Sequence, residues 1–172
     1  AVLVQPISLV GKLMAYSTND IVAFDNLVIS HSFKDYMVFR FDSVKNTLTP
    51  ISLKQKKDTV YTVSPSSSEY YAFIKTSKHR LYAYSPAVVF EVKGEELKQL
   101  KAPIVPENIW ESPDGVLYIQ KNDMIYSVNE DFTATKEVCR FPLEKFGKKK
   151  LARFRVLPSG NVCLGFLSPE LG

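Results

Sequence analysis

The 172 residues, 45% apolar and 23% charged, describe a globular chain within the size range of one domain. A chain of this length buries roughly 68–70% of its unfolded surface, so folding needs no disulfide or metal staple on grounds of size. The net charge of +4, from 22 basic against 18 acidic side chains, is too modest to mark a nucleic-acid binder by composition.

The apolar segments are short, rich in Val, Ile, Tyr and Phe, and bounded by turn residues, which is the pattern of strands. After the turn Asp25-Asn26, strands are predicted over 27–30 and 36–41, joined through 31–35, with an outer strand over 48–53 beyond the turn 42–47. Ser64-Pro65-Ser66-Ser67 then introduces strands over 70–74 and 81–84, separated by a turn through Thr76 to Arg80. Residues 95–100 are a helix candidate that could equally form an outer strand or a loop, being too short for a helix without tertiary support. Ser112-Pro113-Asp114-Gly115 precedes strands over 116–120 and 124–128, with an outer strand over 135–138. A second short helix candidate spans 143–146, and Leu157-Pro158-Ser159-Gly160 leads into a strand over 161–166. In 36–41 and 124–128 both strand faces are largely apolar, as expected for sheets covered on two sides.

These elements repeat. With Asp25, Ser66, Asp114 and Ser159 as markers the spacings are 41, 48 and 45 residues, giving units over 25–63, 64–111, 112–156 and an incomplete 157–172. A period of this size, with several strands per unit, is that of propeller blades. The turns have a physical basis: Pro pre-sets the first dihedral and Gly accepts positive φ, allowing tight reversal. The expected fold class is all-β, a partial β-propeller of about three and a half to four blades of antiparallel strands forming a single region over 1–172; a β-sandwich with irregular hairpins is the alternative. Four such units leave strand edges at both ends, so the chain reads as a fragment, or the ordered part of a longer polypeptide, whose ring is completed elsewhere.

Through Ser64-Pro65-Ser66, Ser112-Pro113-Asp114-Gly115 and Leu157-Pro158-Ser159-Gly160 the chain resembles Trp-Asp-repeat-like β-propeller proteins over nearly its whole length. It departs from their pattern in lacking a Gly-His or a Trp-Asp pair, and its one tryptophan, Trp110, stands before the third turn. The resemblance implies a non-catalytic scaffold holding other protein subunits in a large nuclear assembly, such as a pre-ribosomal particle in the nucleus or nucleolus, with RNA as a further partner. A vesicle tether or coat propeller, cytoplasmic in location, and a propeller hydrolase with a central-channel site are the alternatives that it leaves.

The residues themselves point away from chemistry. His31 and His79 fall in equivalent hairpin turns of different repeats, with no ligand cluster around them, so neither a metal nor another cofactor is expected. Cys139 and Cys163 lie in strand contexts as small buried apolar residues; they lack metal spacing and are too few to staple a secreted domain, which suggests a reducing compartment. Gly147 and Gly160 stand alone rather than in a phosphate loop, and Ser159 is not in a nucleophile elbow. Asp25, Asp114 and Glu130 recur as turn formers. No apolar run approaches the roughly 20 residues that cross a bilayer, so no membrane insertion is expected.

The candidate binding residues are basic. Lys145, Lys148, Lys149, Lys150, Arg153 and Arg155 form a cluster that, read as a loop, would meet nucleic acid or an acidic partner protein. Phe146 and Phe154, interleaved with them, could stack on unpaired bases. Lys54 to Lys57 and Lys75 to Arg80 add two smaller groups.

Overall fold

The computed structural model describes residues 20–31, 36–55, 72–146 and 150–167. The architecture is all-β. Strands β1 (Asp20–Phe24), β2 (Leu27–His31), β3 (Tyr36–Asp42) and β4 (Thr47–Ile51) form a four-stranded antiparallel meander in the order β1-β2-β3-β4. A second sheet has the order β5-β9-β8-β7-β6, with β5 (Lys54–Gln55), β6 (Ala72–Lys75), β7 (Leu81–Ser85), β8 (Val88–Lys93) and β9 (Glu96–Gln99). The third meander comprises β10 (Asn108–Glu111), β11 (Leu117–Lys121), β12 (Met124–Val128) and β13 (Thr135–Arg140), and β14 (Lys150–Val156) pairs with β15 (Val162–Leu167) in a two-stranded sheet.

The described residues fall into two compact units. The first takes 20–31, 36–55, 72–75, 81–83 and 91–98; the second takes 76–80, 84–90, 99–146 and 150–167.

In the first unit, β2 and β3 bury both of their faces. Val28 and Phe39 lie opposite one another and gather Met37, Phe41 and Leu48, while Leu27, Ile29 and Val38 fill the reverse side. A side-chain period of two makes this possible only because alternate and intervening positions are both apolar. One pairing departs from the expected antiparallel blades: β5 joins β9 in parallel, Lys54 beside Glu96, with Lys54 N donating to Glu95 O at 2.8 Å. The residues 95–100 considered for a helix thus supply the strand β9 instead, with Leu97 buried and Glu96 and Lys98 exposed. That alternation has period two, which a helix cannot satisfy.

In the second unit, one turn recurs. Thr76 N donates to Arg80 O at 2.8 Å and His79 N to Thr76 O at 3.1 Å; Ser112 N and Gly115 N repeat this toward Val116 O and Ser112 O, both at 2.9 Å. Leu157 N and Gly160 N do so again toward Asn161 O and Leu157 O, at 2.7 and 2.8 Å. The fourth residue of each turn has positive φ, 57° at His79, 80° at Gly115 and 81° at Gly160, the region where glycine carries no steric penalty. Thr76 and Ser112 also lock their turns by side chain: each hydroxyl exchanges hydrogen bonds with the carbonyl and amide of the residue four positions on, at 3.1 to 3.3 Å. By these bonds the turn matching 112–116 is Thr76 to Arg80, and each sheet opens one strand ahead of its turn; Ser64 to Ser67 lie outside the described residues. His31 ends β2 whereas His79 lies in the β6–β7 turn, so the two histidines do not occupy matching positions.

The core of this unit joins the third sheet to the β14–β15 hairpin. Ile125, Phe141, Leu151, Phe154 and Val156 are buried together, and Trp110, Tyr118, Cys139, Val162, Leu164 and Phe166 pack against them. Trp110 stacks on Tyr118 with ring centroids 5.8 Å apart and meets Phe154 edge-on at 6.3 Å. Residues 143–146, the other helix candidate, form a single 3-10 turn.

Truncating a core residue here removes contacts that a rigid sheet cannot restore. Ile125→Ala is expected to destabilise the second unit by about 2–5 kcal/mol and Ser112→Ala by about 1 kcal/mol, whereas Val44→Ala, at a side chain 93% exposed, should change stability by less than about 0.5 kcal/mol. Denaturant unfolding followed by circular dichroism, and for the first two by Trp110 fluorescence, checks the order.

Candidate binding surface

The two-residue alternation of β14 is interrupted at Ala152, where the register against β15 shifts between Leu151 and Arg153. A bulge of this kind inserts one residue and resets which face the following side chains take. Leu151 and Phe154 therefore both enter the core, together with Val156, while Arg153 and Arg155 stand exposed on the other face. Arg153 lies opposite Gly165 and Arg155 opposite Cys163, so the neighbouring strand presents small groups beside both guanidinium groups.

Of the six basic residues, the structure brings Arg153 and Arg155 together on a strand rather than in a loop. Lys150 begins that strand, and its side chain lies outside the described residues, as do Lys148 and Lys149 entirely. Lys145 is exposed in the 3-10 turn. Phe154 is not available for stacking on bases: it is 3% exposed, inside the apolar core. Cys163 also departs from expectation, being exposed, whereas Cys139 is half-buried against the core and burial pushes its thiol above the usual range. Both cysteines are free thiols.

Several other basic residues are engaged by carboxylates. In the first unit Arg40 Nε donates to Glu95 Oε1 at 2.6 Å. In the second, Lys78 Nζ reaches Glu130 Oε1 at 2.6 Å, and Arg80 reaches Glu130 Oε2 at 3.3 Å and Asp131 Oδ1 at 2.9 Å. Ser77 binds Glu111 through both its amide and its hydroxyl, each at 2.7 Å. Arg140 lies 3.6 Å from Asp123 and Lys121 3.3 Å from Glu107. By contrast, Arg153 and Arg155 form no ion pair with another described residue, and the hairpin that carries them, 150–156 with 162–167, contains no acidic residue.

Two further polar arrangements had no clear signal in the sequence. Gln120, 3% exposed, accepts from Asn108 Nδ2 at 2.7 Å and donates to Glu107 Oε2 at 2.9 Å and Asn122 O at 2.6 Å. Its amide is thereby satisfied on both ends, which identifies a structural lock between β10 and β11. A shallow cleft of about 400 Å³ lies at the opposite end of this sheet, lined by Lys78, Gly115, Val116, Asn129, Glu130 and Asp131 among others. Its charged groups are already paired, Lys78 with Glu130 and Asp131 with Arg80. Among the described residues no group of three or more His, Cys, Asp or Glu side chains could hold a metal ion, and no helix is long and apolar enough to cross a membrane.

No protein-family model matches the chain, and no curated protein matches it by sequence. Among solved structures it is similar to the extracellular domain of a putative one-component system from B. thetaiotaomicron, at 10% identity and a TM-score of 0.53, over 85% of this chain and 19% of that one. The likeness is one of fold, and the chain spans about a fifth of the length of that extracellular-domain chain.

The hydrogen bond from Lys78, joined by Arg80, holds the Glu130 carboxyl below its ordinary range against a weaker opposing effect of burial. A folded-state value below the unfolded one means that the interaction is complete above the ordinary carboxylate range and is lost as pH falls through the lowered value. Carboxyl titration by NMR should place Glu130 below an ordinary glutamate, and Lys78→Ala should move it back upward.

Proposed function

We propose that the chain is part of a β-propeller-type platform that acts by binding, holding protein subunits of a larger assembly rather than carrying out a reaction. The observation that supports this most directly is repetition at the level of register. Glu111 pairs with Leu117, Trp110 with Tyr118 and Asn108 with Gln120 on either side of one turn; Val156 with Val162, Arg155 with Cys163 and Arg153 with Gly165 repeat that pattern around the matching turn. Sheets that bury both faces against neighbours form a rigid array whose exposed faces and turns are left for recognition. Arg153 and Arg155, with Lys145 nearby in sequence, are the residues we assign to partner contact.

The nuclear, pre-ribosomal setting is drawn from the resemblance in sequence to Trp-Asp-repeat-like scaffolds, which also leaves a vesicle coat or tether and a central-channel hydrolase as alternatives. A second setting is favoured by the structural likeness: the same platform placed outside the cytoplasm in a signalling protein, as in the bacterial extracellular domain that shares its fold.

An experimental density map of the intact protein is expected to show sheets fanned about one axis with the turns at 76–80, 112–116 and 157–161 related by rotation. Two face-to-face sheet layers would overturn the platform. Fractionation with immunodetection separates the settings: a nucleolar signal supports the assembly scaffold, and an extracytoplasmic one supports the signalling platform.

A further inference from the structure

The third sheet and the hairpin share a register, so their faces can be compared position by position. Trp110, Tyr118 and Ile125 lie on the face of the third sheet that β14 and β15 cover. The corresponding positions of the hairpin are Arg155 for Trp110 and Cys163 for Tyr118, with Arg153 in place of Asn108. This face is exposed, whereas the face behind it is sealed by Leu151, Phe154 and Val156. The hairpin thus continues an established sheet-on-sheet stack with a surface of the same geometry and different chemistry.

Three features select the occupant. Arg153 and Arg155 form no ion pair with another described residue, while Arg80 in the same unit is met by Glu130 and Asp131 and is only 17% exposed. A guanidinium withdrawn from water needs such partners, so a covering surface must supply carboxylates. A second copy of this chain placed face to face would set arginines against arginines, which electrostatics disfavours. Single-stranded nucleic acid would require aromatic groups for stacking, and Phe154, on the strand between the arginines, points into the core.

We propose that the outer face of the β14–β15 hairpin, centred on Arg153 and Arg155, is a docking surface for an acidic protein partner that lays a carboxylate-bearing strand or sheet face across it. The inference rests on the platform reading in taking this face as the next position of a repeated stack. Gly165 and Cys163 keep the surface beside the arginines low, so an extended backbone can approach while its acidic side chains reach both guanidinium groups.

Cys163 serves as a reporter because it is exposed on this face, and Cys139, on the covered side, is an internal standard. The rate of alkylation of each thiol by iodoacetamide is measured with and without poly-L-glutamate at low salt. Poly-L-glutamate is expected to slow Cys163 by at least about fivefold without altering Cys139, an effect lost at high salt as charges are screened. The with-to-without ratio should return to one in the double variant Arg153→Glu with Arg155→Glu and in the milder Arg153→Gln with Arg155→Gln, each checked for an unchanged Trp110 emission spectrum. Unchanged Cys163 reactivity at saturating poly-L-glutamate, or protection that survives both variants, overturns the proposal. Stronger protection by polyuridylic acid than by poly-L-glutamate overturns it in favour of nucleic acid, and protection that rises with protein concentration alone overturns it in favour of self-association. A density map lacking the repeated sheet array would remove the platform while leaving these rates as they are, so the two failures are distinguishable.

Discussion

Burial of a strand on both faces is the constraint from which the rest of this structure follows. Ile29, Leu81, Phe90, Ile119 and Ile125 have no solvent exposure although they belong to sheets of four or five strands. A lone sheet of that width has two faces open to water, and removing apolar area from water is worth roughly 25 cal/mol per Å². Surface ion pairs are a minor contribution beside this: the Lys78–Glu130 pair, with side chains 56% and 39% exposed, belongs to a class with a median of about 0–1 kcal/mol. Such pairs set which turns lie together, while apolar contact holds the sheets.

The same constraint explains how an exposed cationic surface arises at β14. Its sequence from Lys150 to Val156 alternates basic and apolar residues imperfectly, and a regular strand would place Leu151 on the side of Arg153 and Arg155. The bulge at Ala152 removes that conflict by moving Leu151 to the core side. The cationic character of the outer face is therefore a consequence of packing the inner one. Elsewhere the turns dispose of their charge locally, as when Ser77 receives the Glu111 carboxylate and Arg80 engages two acidic neighbours.

Much of the strand pattern was legible in the sequence because its cause is local. The segments at 27–30, 36–41, 81–84 and 124–128 carry dense β-branched and aromatic residues between turn formers, and strands stand there. The strand β8 was not foreseen: its apolar run is interrupted by Glu91, which is buried and lies 3.3 Å from Lys93. The short β10 carries a polar residue at either end, and β14 read as a basic loop because charge density concealed its alternation.

For the site, the sequence by itself determined which residues are cationic and that a Pro-Asp-Gly and a Pro-Ser-Gly turn stand at 113–115 and 158–160, since charge and turn preference belong to single residues and their immediate neighbours. Only the tertiary structure decided that Phe154 faces inward, that Cys163 is exposed and that Arg153 and Arg155 share one open strand face. The direction of a side chain on a strand depends on register with a partner strand and on any bulge between them, and residues 150–167 acquire both through pairing across the turn and packing against Trp110 and Ile125.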